Sequence, residues 1–138
     1  MDKNEMIAYF DRRAPYWERE NRADPAVIRA ILDNAQVGEG QDVLDVACGT
    51  GVLFPFYLER KVRSLTAIDL SPAMVKIAGE KAAQAPNVTL VCGDVEAWKP
   101  DKRFDCIVVY NAFPHFPYPK RLLKNLAGLL KEGGRLTV

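Results

Sequence analysis

The stretch Val43-Leu44-Asp45-Val46-Ala47-Cys48-Gly49-Thr50-Gly51 carries the strongest chemical signal in the chain. An apolar strand there runs into a glycine-bearing turn ahead of a helix, so backbone N–H groups converge where a carboxylate or phosphate binds well. Gly49 and Gly51 permit unusual backbone angles and close approach of a ligand. Two glycines after a strand are compatible with NAD, FAD or S-adenosylmethionine (SAM). The dinucleotide pattern would place glycine or alanine at position 54, where this chain has Phe54, and bulk there argues against a pyrophosphate. Asp69, in Ile68-Asp69-Leu70-Ser71, sits at the end of a second strand, where nucleotide-binding folds hold a ribose. Asp94, in Cys92-Gly93-Asp94-Val95-Glu96, ends a third strand. It can accept from an adenine amino group, with Gly93 relieving crowding. His115, the only histidine, lies with Asn111 in Asn111-Ala112-Phe113-Pro114-His115-Phe116-Pro117 after a fourth strand. A neutral imidazole there can take a proton near pH 7. It can equally pack on Phe113 or Phe116 and shape a pocket, and both readings stand.

The elements that must position these groups alternate strand and helix, which predicts a Rossmann-like α/β domain with a doubly wound parallel sheet. Strands are expected at 42–46, 65–68, 88–91 and 104–110, with a fifth beginning at Arg135 and running to Val138. The fourth is apolar on both faces, as a central strand should be. Asp24-Pro25 and Ser71-Pro72 each supply an N-cap followed by a proline at the first helical position. Val27, Ile28, Ile31, Leu32 and Ala35 share one apolar face, and Met74, Val75, Ile77 and Ala78 form a second. A third helix is expected from Tyr118 to Lys131, with Leu122, Leu123, Leu126, Leu129 and Leu130 on one stripe and Gly133-Gly134 ending it. Residues 1–22 form a separate amphipathic element bearing Tyr9, Phe10, Tyr16 and Trp17. Two roles are open to it: a helix packed on the sheet edge, or a flap over a cofactor. Residues 23–138 make up the cofactor-binding domain.

Composition narrows the function classes. The 138 residues suffice for one core, and nineteen basic residues against eighteen acidic ones leave a net charge of +1 without clustering by sign. A nucleic-acid reader usually shows a basic stripe, so a small-molecule partner is favoured over nucleic acid. No apolar run approaches the roughly 20 residues of a membrane span, and the charged start Met1-Asp2-Lys3-Asn4-Glu5 is unlike a secretory signal. Cys48, Cys92 and Cys106 fit no metal or redox spacing. A cytoplasmic protein without a metal site is expected, its cysteines kept as thiols.

Taken in order, these motifs resemble those of class I SAM-dependent methyltransferases over essentially the whole chain. Asp45, Gly49 and Gly51 match the family's acidic-x-Gly-x-Gly-x-Gly pattern, with Ala47 in place of the first glycine. Phe104-Asp105-Cys106-Ile107-Val108 is similar to the fourth-strand motif, and Leu130-Lys131-Glu132-Gly133-Gly134-Arg135-Leu136 to the lead-in to the fifth strand. The segment Phe10-Asp11-Arg12-Arg13-Ala14-Pro15-Tyr16-Trp17 is loosely similar to quinone-biosynthesis and other small-molecule members. The resemblance implies SAM as cofactor and S-adenosylhomocysteine as product. It implies Asp45, Ala47 and Gly49 around the methionine moiety, Asp69 on the ribose, Leu70 and Met74 beside the adenine, Asp94 on its amino group and Val95 on the ring, with Cys48, Gly51 and Gly93 also among the cofactor-binding residues. Asn111 and His115 would lie near the transferring methyl. The loop lacks the Asp/Asn-Pro-Pro-aromatic motif of amide and nucleic-acid N-methyltransferases. The family's sheet has seven strands, so a chain reaching only the fifth is expected to be part of a longer protein. Its exposed fifth-strand edge would then invite a homodimer. The expected activity is methyl transfer to a small-molecule acceptor, with a non-catalytic or partner-dependent SAM-binding fragment as the alternative.

Overall fold

The computed structural model describes residues 2–138. Five parallel strands form one sheet in the order β3-β2-β1-β4-β5: β1 Asp42–Val46, β2 Ser64–Asp69, β3 Val88–Cys92, β4 Phe104–Val109 and β5 Leu130–Thr137. β1 lies at the centre, paired in register with β2 (Val43 opposite Leu65) and with β4 (Val43 opposite Cys106). All five of its residues are buried, Asp42 and Asp45 included, as a central strand covered on both faces requires. The chain leaves β1 toward β2 and β3 on one side, then crosses to β4 and β5 on the other. That reversal opens a crevice at the carboxyl ends of β1 and β4.

Alternation along the strands splits the core into two layers. Val43, Leu65, Ala67, Cys106 and Val108 pack with Ile28 and Leu32 of α3 (Pro25–Asn34), Tyr57 of α4 (Phe54–Glu59) and Ala78 of α5 (Pro72–Lys81). Leu44, Val46, Ile68, Ile107 and Val109 face the other way, onto Leu122 and Leu126 of α6 (Pro119–Ala127). Helix starts follow the local chemistry: Asp24 accepts from the Ala26 N–H at 2.9 Å, and the Ser71 hydroxyl accepts from the Met74 N–H at 3.2 Å.

Four sequence expectations are corrected. The helix after Tyr118 ends at Ala127, with Gly128 as its C-cap, so Leu130 and Lys131 belong to β5. The fifth strand begins there and not at Arg135. Gly133 and Gly134 serve an irregularity between β4 and β5: Phe104 stands opposite Leu130, but Cys106 stands opposite Arg135. Gly133 has φ +76°, and a Cβ on Gly134 would come within 3.0 Å of the Phe104 carbonyl. Finally, Val27 is not on the buried face of α3 but is half exposed.

The N-terminal segment comprises α1 (Lys3–Arg13), a 3-10 turn (Ala14–Tyr16) and α2 (Trp17–Glu20). Asp2 and Glu5 form a reciprocal capping box that starts α1. Polar ties then dock the segment onto the domain. Asp11 accepts from the Ser71 hydroxyl and from the Ala73 N–H (3.2 Å), at the start of α5. Glu18 accepts from the Thr50 hydroxyl at 2.8 Å and pairs with Lys81.

Candidate functional site

Past Val46 the chain leaves β1 through two residues with left-handed backbones, Ala47 (φ +57°) and Gly49 (φ +57°), and then Gly51 (φ +82°). Hydrogen bonds to the end of β2 hold this turn: the Cys48 N–H donates to the Ile68 carbonyl at 3.1 Å, and the Gly49 N–H to Asp69 Oδ2 at 2.8 Å. The two glycines answer different needs. A Cβ on Gly49 would meet nothing within 4 Å, so its bare backbone faces open space. A Cβ on Gly51 would stand 2.8 Å from the ring of Phe54, which is fully buried beneath the loop. Position 54 thus holds a core side chain that the loop packs down upon.

Asp69 is the hub of the carboxyl edge. Its Oδ1 accepts from the Ser71 N–H at 2.9 Å while Oδ2 holds Gly49, and its carbonyl accepts from the Gly93 N–H at 2.9 Å. Burial pushes its carboxyl pKa up, and the N–H groups of Ser71, Gly49 and Leu70 draw it back. Each oxygen keeps a lone pair for a further donor. On the next loop, Asp94 Oδ1 accepts from the Glu96 N–H at 2.9 Å, and Lys3 of α1 approaches Oδ2 to 3.7 Å. Glu96 in turn holds Arg121 of α6 through two bonds, of 2.9 and 3.3 Å. Beyond β4, Asn111 adopts φ +52°, and the Phe113–His115 turn sets the imidazole edge-on to Phe10 of α1, with ring centroids 5.5 Å apart.

These pieces enclose one cavity of about 800 Å³ at the carboxyl edge, a size typical of small-molecule sites. Ala47, Cys48, Gly49, Asp69, Leu70, Met74, Gly93, Asp94, Val95, Asn111 and His115 all line it. Asp45 and Gly51 do not; they lie behind the wall. Asp45 is 1% exposed, and burial raises its carboxyl pKa to about 8. The lining also includes Phe10, Trp17, Glu18 and Arg22 from the N-terminal segment, and Thr50, Tyr110 and Arg121 from the domain. Aromatic enrichment in residues 1–22 was a usable signal for Phe10 and Trp17. Glu18, Arg22 and Arg121 had none, because a lone charge on an amphipathic helix reads as a solvated face.

The chain is similar to known proteins over the region that forms the site. Residues 43–134 match the family described as methyltransferase domain. A ubiquinone biosynthesis O-methyltransferase of Coxiella burnetii (strain Dugway 5J108-111) is 31% identical over 143 residues, covering 99% of this chain and 61% of that protein. Malonyl-[acyl-carrier protein] O-methyltransferase 1 of Ilyobacter polytropus is 36% identical over 96 residues, covering 69% of this chain and 36% of that protein. The chain therefore spans about three fifths of the length of the first of these relatives and about a third of the second. Among solved structures, a DhpI–SAH complex superposes with a TM-score of 0.80 at 24% identity, over 97% of this chain and 66% of that one, a likeness of fold. Five strands in the order 3-2-1-4-5, a glycine turn after β1 and a match running from β1 into β5 agree with one another: the chain belongs to the methyltransferase domain family, among the class I SAM-dependent methyltransferases.

Proposed function

We propose that the cavity binds SAM and that the protein transfers its methyl group to a small-molecule acceptor. One observation carries the reading. Asp69 is fastened by the Gly49 and Ser71 N–H groups on the cavity wall, with oxygen lone pairs left for two ribose hydroxyls. The residues fit the cofactor in other respects. Gly49 and Gly93 present open space where a Cβ would stand, so a ligand can meet the backbone there. Asp94 would accept from the adenine amino group, with Leu70, Met74 and Val95 against the ring. Ala47, Cys48, Gly49 and Asn111 would surround the methionine end.

When bound, SAM supplies a methyl group on a sulfonium, ready for in-line displacement. The chain's residues hold donor and acceptor aligned, which can be worth ~7–11 kcal/mol of the barrier. Phe10 and Trp17, walling the cavity from the N-terminal segment, would act as a flap that excludes water. Both relatives above are named O-methyltransferases, which supports an oxygen acceptor, and an oxygen acceptor benefits from a base. His115 is the candidate for that base. β5 stands at the sheet edge, which supports pairing with a second copy; a strictly monomeric species in light scattering at tens of micromolar would refute it. Three free thiols support a cytoplasmic setting. Among the described residues no helix is long and apolar enough to cross a membrane.

The test is calorimetric titration with SAM and with S-adenosylhomocysteine. Saturable one-site binding is expected, and Asp69→Ala should weaken it by roughly 1–3 kcal/mol. Folded protein that binds neither compound would defeat the proposal.

A further inference from the structure

Thr50, between the two left-handed glycines of the turn, is 1% exposed. Its hydroxyl has a single partner among the described residues: it donates to Glu18 Oε1 at 2.8 Å. The inner half of the turn is held from β2, through the Cys48 and Gly49 N–H groups. Its outer half is thus held from the N-terminal segment, 32 residues away in the chain. Glu18 also pairs with Lys81, in the last turn of α5. Among the described residues these two are the only polar ties between residues 14–22 and the domain.

Little else fastens that stretch. No residue of α1 or α2 is buried, and Ala14 alone is buried in the turn between them. Behind the Glu18–Thr50 bond lies a second cavity, of about 310 Å³, bordered by Ala14, Pro15, Glu18, Arg19, Thr50 and Ile77. Glu18 and Thr50 line the first cavity too, so their bond is a partition between two spaces rather than a contact backed by core. Elements with few buried contacts open locally at low free-energy cost. Residues 14–22 wall the cofactor cavity with Trp17, Asn21 and Arg22, yet they rest on one carboxylate.

We propose that Glu18 is a positioning residue, the latch that fastens the N-terminal segment to the glycine turn, and that this latch must open for SAM to leave. The proposal rests on the cofactor reading above. Glu18 acts through Thr50: its carboxylate fixes the hydroxyl, and with it the outer half of the turn on which the methionine end would sit. Lys81 balances the charge of that carboxylate and holds it in place. Seat and lid then move as one unit. With the latch made, Trp17 completes the cavity wall; with the latch broken, the outer half of the turn and residues 14–22 are released together.

The experiment follows release of radiolabelled SAM, chased with excess unlabelled SAM, from the wild type, Glu18→Ala, Thr50→Val and the double variant. Neither change opens the core: the Glu18 side chain is 46% exposed, and valine keeps the outline of threonine. Each single variant should release SAM about 10-fold faster or more, the effect of losing a hydrogen bond to a charged group. The double variant should be no faster than the faster single one, because both remove the same bond. Glu18→Gln, whose amide oxygen still accepts from Thr50, should restore most of the hold. Lowered melting temperatures with wild-type release rates would make the contact merely structural and overturn the proposal. Fast release from Glu18→Ala beside wild-type release from Thr50→Val would also overturn it, since Glu18 would then act on the cofactor directly. Both results leave the cofactor reading intact, whereas folded wild-type protein that fails to bind SAM would overturn both.

Discussion

At Ala47 the backbone asks for something its side chain resists. An L-residue at φ +57° carries roughly 1–2 kcal/mol of steric cost. Glycine avoids that cost but gives back ~0.5–1 kcal/mol in unfolded-state entropy. Ala47→Gly should therefore raise stability by up to about 1 kcal/mol in thermal or denaturant unfolding, with the turn unchanged. A destabilised variant would mean that the methyl group packs more than its half-buried position implies. His115 presents a different residue-scale question, because its ring both touches Phe10 and lines the cavity. If it removes the acceptor's proton, His115→Ala should lose about 10²–10⁴-fold in kcat at unchanged SAM affinity. Retained turnover would leave it the part of a wall. The places of Asp69, Asp94, Gly49 and Gly93 on the cavity wall were legible in the sequence because each stands just at or past a strand end, where the type of residue and its place coincide. Asp45 looked the same in one dimension. Its position inside β1 turns it away from the cavity, and strand direction in three dimensions decides that.

Helix α1 and helix α5 meet through a shared cap. Ser71 caps α5 from within the sequence, and Asp11 reinforces it from sixty residues away by accepting from the Ser71 hydroxyl and the Ala73 N–H. Asp11 is thus a fastening of the N-terminal segment as well as an aid to the helix start. Asp11→Ala should cost ~1 kcal/mol and, more tellingly, speed amide exchange across Lys3–Arg13 while β1 stays protected. Equal protection of α1 in both proteins would show that apolar packing alone holds it. Local signals served well where they were complete, as with Asp24-Pro25 and Ser71-Pro72. They failed after Ala127. The leucine stripe continues past the helix end, and Gly133-Gly134 looks like a stop signal for it. Only the pairing of β5 with β4 shows that those glycines let an irregular strand pass its neighbour's carbonyls.

Across the whole molecule, the amino end of the sheet is closed by charge while the carboxyl end is left open for chemistry. Asp42, buried at the start of β1, accepts from Arg63, from the Ser64 hydroxyl (2.6 Å) and from Lys131 (2.9 Å). Lys131 also reaches Asp105 at 3.0 Å, so β1, β4 and β5 share one cluster. Arg63 first, then Ser64 and Lys131, hold the Asp42 carboxyl well below the usual carboxylate range, against the effect of burial. A depressed folded-state pKa adds stability above the unfolded value of about 3.9, and that stability is lost as pH falls through the folded value. The melting temperature should therefore drop steeply as pH falls below about 4. Asp42→Asn should be less stable at pH 7 and show a shallower acid limb; parallel curves for the two proteins would remove Asp42 as the cause.

By itself the sequence determined the alternation of strands and helices, the caps, the glycine turn and the acids at the strand ends. Each is a local pattern, set by side-chain period and backbone preference within a few residues. The tertiary structure alone decided which acid faces the cavity and which is sealed behind it. It also brought Phe10, Trp17 and Arg22 over the site, and made a strand of the residues after Leu129. Those outcomes depend on pairing and docking between segments far apart in the chain, and the free energy that selects them comes from contacts that no single stretch contains.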